Sequence, residues 1–540
     1  MIKKAILFFS FLVLVPTFLS GQAQERLSEV FWGTKYAMEE NRRPDKLIGN
    51  DDTGFYTQSH RAGNLWQRES DYFIEHYNQE LKKTKSVVLN LKGKKNESEL
   101  ESCIMMNKKL FLFTSQRNKK TKIKSLFVQE IDKSTLIPSA GKILVAEIPN
   151  TKKPRLLYGI NAASAGVFIL KLSQDKSKLL VFSTLGLEKG ATKEFAFYVL
   201  DHNLNELWNK KIKLSASEEN FVVNNYTLDN FGNLHVLREN LEEDSRISFR
   251  NKSIGSYSIL SYTNEGNTIV ENPVVLEGKF LTDLRIGIDT ERNIVCAGFY
   301  SSEGKGSIEG TFFIKLKSDD KKVISSKFEK FDLDFITEHL SEKEKGKKLR
   351  KAAKGKSAEL VEYELDEIIM CQDGGSILIG EQYYVESVHV NTGAGANASS
   401  YTNYYYVFND IIAIKMSPEG SIDWKKKIAK HQITKNDGGY YSSYALANAN
   451  DNLYFVYNDS PKNINNQEGD KLYYYEKEEE TIIVLAVLDN EGNLNKETIS
   501  FSNKVEVMAR PFISKQIGAD EMLMLGLSND MFRFSKLKLK

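Results

Sequence analysis

Apolar runs alternate with tight polar turns along almost the whole chain. One set of turns falls at Asp52-Thr53-Gly54, Asn107-Lys108, Asp175-Lys176, Asn230-Phe231-Gly232, Thr290-Glu291-Arg292, Asp373-Gly374-Gly375, Asn450-Asp451-Asn452 and Ala519-Asp520. A second set follows the first seven, each after roughly 25–45 residues. Its members lie near Asn78-Gln79, Asp132-Lys133, Asn203-Leu204, Glu265-Gly266, Asp319-Asp320, Glu419-Gly420 and Glu491-Gly492. Gly, Asn and Asp suit such positions because they tolerate positive φ or bond their own backbone. The runs between turns are rich in β-branched and aromatic residues with period-2 alternation, which predicts strands rather than helices.

Two hairpins per unit, repeated every ~55–80 residues, predict the four-stranded blades of a β-propeller. The expected fold class is all-β: a single propeller of eight four-stranded blades, with seven as the alternative count, and a short helical insertion. The apolar runs at 233–237, 293–298, 376–380 and 452–457 read as four versions of one inner strand. The last run, 531–540, would be a third strand, so the fourth is expected from residues 27–32, which would close the ring and remove its open edge.

The outer hairpins align without a gap. Residues 199–208 run Val-Leu-Asp-His-Asn-Leu-Asn-Glu-Leu-Trp, and 415–424 run Lys-Met-Ser-Pro-Glu-Gly-Ser-Ile-Asp-Trp. Residues 487–496 keep the frame but end in Lys496. In this repeat the chain resembles the quinoprotein-like (PQQ-type) propeller proteins, where a strand ends in a polar turn and a Trp packs between neighbouring blades. The resemblance covers two blades well and five loosely, and it implies the fold alone. The quinone-dependent members use adjacent cysteines and a metal beside the cofactor. No Cys-Cys pair exists here, so no cofactor and no metal is expected.

In a propeller both sets of turns share one face, and the longer connections share the other. Three insertions, 330–360, 386–406 and 459–475, are therefore expected on that second face. The first has a helical look at 334–340, followed by a basic run from Lys343 to Lys356 with eight Lys or Arg. That run reads as a solvated helix and loop, or as a peripheral contact for an acidic surface. The second has a small-residue tip at 391–400 flanked by Tyr383, Tyr384, Tyr401, Tyr404, Tyr405 and Tyr406. The third is polar and ends in Tyr473, Tyr474 and Tyr475. Tyr suits half-buried strands, and it also suits a recognition surface for a protein or glycan. Glu381 and Asp459 are weak catalytic candidates near this face, with Asp410 close by and Asp373 on the turn side. Nothing in the spacing fixes the separations that glycosidase chemistry requires.

Composition narrows the function. The formal net charge of +2 carries no nucleic-acid signature. Residues 1–23 read as a secretory signal: Lys3 and Lys4, an apolar stretch from Ala5 to Leu19, and small residues at Gly21 and Ala23. The mature domain is then 24–540, without a transmembrane segment, and its expected address is periplasmic, surface-associated or secreted. Cys103, Cys296 and Cys371 each sit in or beside an apolar run expected to be a first strand, and read as buried small hydrophobes. The seven histidines show no ligand spacing, and no HExxH, GxSxG or Walker-type loop occurs. The calcium-like stretches 448–452 and 489–493 read as hairpin turns. These readings favour an exported binding or scaffold module for an envelope protein or glycan. The alternatives are a polysaccharide-acting hydrolase or lyase, and a structural subunit of an envelope assembly.

Overall fold

A computed structural model describes residues 27–39, 42–61, 71–91, 98–149, 168–185, 194–213, 221–241, 255–274, 278–302, 307–317, 322–392, 399–464, 466, 470–475, 480–501 and 507–540. The expected signal segment and the turn at Asp319-Asp320 lie outside them. Among the described residues, strands dominate and two α-helices interrupt them, α1 (Leu333–Thr337) and α2 (Glu342–Ala353).

Seven antiparallel sheets each run through four strands in chain order, spanning 42–88, 98–149, 168–213, 221–274, 280–330, 363–428 and 445–501, and a fifth strand, Gln432–Lys435, joins the sixth beside its third. An eighth sheet runs outward from Met508–Ala509 through Glu521–Leu527 and Met531–Leu539 to Ser28–Trp32. In it Ser28 faces Leu539 and Trp32 faces Ser535. Glu497 of the seventh sheet secures this start of the chain, accepting the Leu27 N–H at 3.1 Å and the Ser28 hydroxyl at 2.8 Å.

Neighbouring sheets share apolar clusters. Phe182, Phe197 and Trp208 of the third sheet pack with Leu234, Val236 and Tyr262 of the fourth. Leu47, Phe55 and Tyr77 of the first sheet pack with Leu523, Phe532 and Phe534 of the eighth. Each such fully buried ring or branched chain contributes about 1.5–3 kcal/mol.

The turns explain themselves chemically. Asp201, Asp229, Asp289 and Asp489 each accept the backbone N–H groups two and four residues on, and the side-chain amide of Asn205, Asn233, Asn293 or Asn493. The Asp489 carboxylate is thereby occupied by turn donors. Trp208 donates from Nε1 to the Gly232 carbonyl of the next sheet at 2.9 Å, and Trp424 donates to the Asn490 carbonyl at 2.9 Å.

Two expectations need correction. The runs read as inner strands are the second strands of their sheets, Leu234–Leu241, Ile294–Ser301, Ser376–Thr392 and Asn452–Asp459. A second strand has a neighbour on either side and a sheet on either face, so its apolar signal is strongest; every residue of Ile294–Ser301 is buried. The first strands are the inner ones: those of the first and second, the fourth and fifth, and the fifth and sixth sheets meet directly. They carry bulges at Pro44/Lys46, Leu100/Ser102, Val223/Asn225, Leu281/Asp283 and Leu365/Glu367. Of the cysteines only Cys296 needs the same correction, being in a second strand; Cys103 is in a first strand, and Cys371 directly follows the first strand Tyr363–Met370.

The inner strands are tied to one another through side chains. Lys46 Nζ donates to the Cys103 carbonyl at 2.8 Å, and Lys171 Nζ to the Tyr226 carbonyl at 2.6 Å. Arg285 donates to the Leu365 carbonyl while Asp283 accepts the Leu365 N–H at 2.9 Å. Gln516 and the Asn448 backbone exchange two bonds, at 3.0 and 2.9 Å.

Candidate binding face

The second and third strands of the sixth sheet, Ser376–Thr392 and Ser399–Met416, run on past their neighbours as a ribbon. The first strand of that sheet stops at Tyr363 because Glu362 takes a φ of +61° and turns the chain away. The Glu362 carbonyl accepts the Tyr383 N–H at 2.9 Å. Beyond it, no strand among the described residues pairs with the first-strand side of Tyr384–Thr392. The return strand is flanked instead by Gln432–Lys435, and the Asn436 N–H bonds the Tyr404 carbonyl at 2.9 Å. Residues 393–398 of the expected tip lie outside the described residues.

Period 2 divides the ribbon tyrosines between its two sides. Tyr383, Tyr404 and Tyr406 share one side with Val385 and Phe408; Tyr384, Tyr401 and Tyr405 share the other with Val388. Tyr401 and Tyr404 are the most open, at 51% and 47% exposure, one on each side. Tyr383 stacks at a tilt on Phe408, with centroids 4.6 Å apart. Burial and then the charges of Glu386, Glu362 and Glu344 raise the Tyr384 hydroxyl above its ordinary range.

The ribbon is footed on a buried polar cluster. Lys430 Nζ lies 2.6 Å from Glu381 Oε1 and donates to Gln432 Oε1 at 3.1 Å. Glu381 also accepts the Ser443 hydroxyl at 2.7 Å, and Gln432 accepts the Ser443 N–H at 2.8 Å. His431 pairs with Asn409 at 2.7 Å, Asn409 donates to Gln382 at 3.0 Å, and burial lowers the His431 ring.

The other insertions touch this footing. Tyr474 meets the His431 ring edge-on at 5.9 Å. Asn463 holds the Tyr473 backbone from both sides, at 2.7 and 2.9 Å, while Tyr475 is buried. Asp332 caps α1, whose Phe335 and Ile336 enter the core between the fifth and sixth sheets. The basic run is a solvated helix followed by a short turn: Ser341 and Glu344 form a capping box for α2, no residue of α2 is buried, and Lys354 and Lys356 lie past its end.

Glu381 and Asp459 are both nearly closed to solvent and held by neighbouring groups. Glu381 is held by Lys430 and Ser443. Asp459 accepts the Ser460 N–H and the Asn463 amide, at 2.8 and 2.7 Å. Burial pushes the Asp459 carboxyl up to about 6 against those bonds. Asp373 accepts the Gly375 N–H in its turn, and Asp410 lies 3.4 Å from His339.

One residue escaped the sequence reading. Asp366, on the bulge of an inner strand, is open to solvent yet surrounded by protein. Burial, then the Glu381 charge, push its carboxyl up to about 7, opposed by the Tyr444 hydroxyl at 2.7 Å and by Arg285. Adjacent acids at 366 and 367 inside an apolar run were the available signal, because they break the alternation a regular strand requires. No group of metal-ligating side chains occurs among the described residues. No helix among them is long and apolar enough to cross a membrane.

These sheets, all-β and four-stranded, fit the blades of the β-propeller class. No family model and no curated protein matches the chain. Among solved structures it is similar to the β-propeller domain of the Trilobed protease from Pyrococcus furiosus, at 10% identity and TM-score 0.33, covering 88% of this chain and 98% of that one. It is also similar to the WD40 domain of SCAP from fission yeast, at 8% identity and TM-score 0.36, covering 95% and 98%. A protein of unknown function from Dyadobacter fermentans DSM 18053 matches at 8% identity and TM-score 0.28, covering 69% and 96%.

Proposed function

We propose that the chain is an exported eight-bladed propeller, closed by its N-terminal strand, that serves as a binding module for an envelope protein or glycan. The face bearing the three insertions is the binding face, and the ribbon is its recognition element. The observation that carries this reading is the ribbon itself. It presents Tyr401 and Tyr404 to solvent on opposite sides while its foot is fixed by Lys430 and Glu381. Rigid aromatic side chains on a fixed support lose little entropy on binding.

The test removes 387–402. Glu386 faces Tyr405, so the deletion leaves Asn403 and Tyr404 as a two-residue turn on an intact foot. Affinity isolation from envelope fractions with the full-length mature chain should recover a partner that the shortened chain loses, both chains having the same thermal midpoint. Undiminished capture by the shortened chain would remove the ribbon from the binding face. Where no protein is captured, a glycan array read with the same two chains decides the ligand class.

A further inference from the structure

The open side of the ribbon differs from the outer edges of the first seven sheets. Sheet edges attract foreign strands, and proteins guard them with Lys, with Pro or by keeping them short. The outer strands of the first seven sheets follow that rule. Lys83–Val88 carries Lys85, Ile143–Pro149 ends in Pro149, Glu206–Lys213 carries Lys210 and Lys211, and Thr268–Val274 carries Pro273. Val323–Lys330, Ile422–Ile428 and Leu494–Phe501 carry Lys327, Lys426 and Lys496. The stretch Tyr384–Thr392 has no Lys, Arg or Pro; Glu386 is its one acidic residue.

From this unguarded edge we infer that the ribbon pairs with the ribbon of a second copy of this chain, joining two molecules through one continuous sheet. Backbone parity fits. Tyr383 donates toward Glu362 on the open side, so Val385, Ser387, His389 and Asn391 turn their N–H and C=O groups that way as well. Val388 is the midpoint of Tyr384–Thr392. An antiparallel two-fold through it sets Ser387 against His389 of the second copy and Val385 against Asn391, four pairs exchanging about eight backbone hydrogen bonds.

Side chains agree with the same axis. Val388, 45% exposed in the single chain, meets its own copy. Glu386 faces Val390, so the two carboxylates do not oppose each other. A register in which Glu386 met Glu386 would place like charges side by side, which is destabilising. The axis at Val388 also uses the whole open stretch, while registers to either side leave residues without partners.

Sedimentation equilibrium of the mature chain tests this over a range of concentrations, beside Ser387→Pro. The Ser387 N–H belongs to the open side, so proline there removes an intermolecular donor and leaves the ladder to Ser399–Met416 complete. The expected result is a concentration-dependent doubling of mass for the native chain, and a single-chain mass for Ser387→Pro with an unchanged thermal midpoint. Val388→Cys gives an independent reading should the proline variant fail to fold. At the two-fold the Cα atoms of a non-hydrogen-bonded pair lie about 4.5 Å apart, within reach of a disulfide. Oxidation should therefore cross-link that variant into dimers and leave the native chain uncross-linked. A native chain of single mass at every concentration, a dimer that survives Ser387→Pro, or no cross-link through Val388→Cys would each overturn the inference. A single-mass native chain that still captures a partner through the ribbon would overturn the dimer and leave the proposed function standing.

Discussion

Lys430 and Glu381 lie 2.6 Å apart at the foot of the ribbon, at 0% and 5% side-chain exposure. A pair this deep is held by mutual need, since either charge alone would be stranded in the interior. Lys430→Met should therefore cost about 3–5 kcal/mol in denaturant unfolding. Lys430→Met combined with Glu381→Leu should recover most of that loss, because the stranded charge is gone. Equal losses for the single and double variants would mean that the pair is not what anchors the ribbon.

Gly492 has a φ of +87°, and a Cβ there would come 2.9 Å from Trp424 Cγ. Gly232 has nearly the same φ, +89°, but its nearest Cβ neighbour would be 3.6 Å away. Gly232→Ala should cost about 1–2 kcal/mol from backbone strain alone. Gly492→Ala should cost about 1–3 kcal/mol more, from the displaced indole. Thermal and denaturant unfolding of the two variants measures the difference directly.

Asp366 makes stability depend on pH in a stated direction. Its folded carboxyl is raised to about 7, above the ordinary carboxylate range, so the folded state holds its proton more tightly than the unfolded chain does. That contribution is favourable at low pH and is lost as pH rises from about 4 to about 7. Asp366→Asn removes the ionisation. The variant's thermal midpoint relative to the native chain should rise across that window and hold level above it. A constant offset between pH 4 and pH 8 would refute the assignment.

The strand Ser28–Trp32 alternates, with Val30 packed into the cluster between the seventh and eighth sheets and Phe31 53% exposed. Val30→Asp should cost about 1–3 kcal/mol, while Phe31→Asp should stay within about 0.5 kcal/mol of the native chain. A one-residue slip of this strand would reverse the two effects. Calorimetric midpoints of the two variants therefore read its register.

Much of the sheet pattern was written in the turns. Asp229 and Asn233, four residues apart, close a hairpin by their own hydrogen bonds, and the same pair of residue types does so at three other turns. Such local chemistry survives in a bare sequence. The inner strands were obscured because their bulges break the period on which strand reading depends. Asp366 and Glu367 look out of place until the ladder is seen to slip between Leu365 and Glu367. The division of the tyrosines was legible and was missed: Tyr405 and Tyr406 are consecutive, and consecutive strand residues point to opposite sides. The partners of Glu381 were not legible, since Lys430 and Ser443 come from later segments whose approach only the fold determines.

The pairing of Ser28–Trp32 with Met531–Leu539 sets an order in time. Among the described strands Ser28–Trp32 is made first, and the strand it pairs with, Met531–Leu539, is made last. Ser28–Trp32 must wait while the seven sheets between are made, and the seventh sheet is complete before the residue that Glu497 holds, Ser28, can be fixed by its final neighbours. Misassembly is thus most dangerous at the end, when seven sheets stand formed beside an eighth whose last strand is still free to pair elsewhere. A slow final folding phase that vanishes when residues 27–32 are removed would be the kinetic mark of that late step.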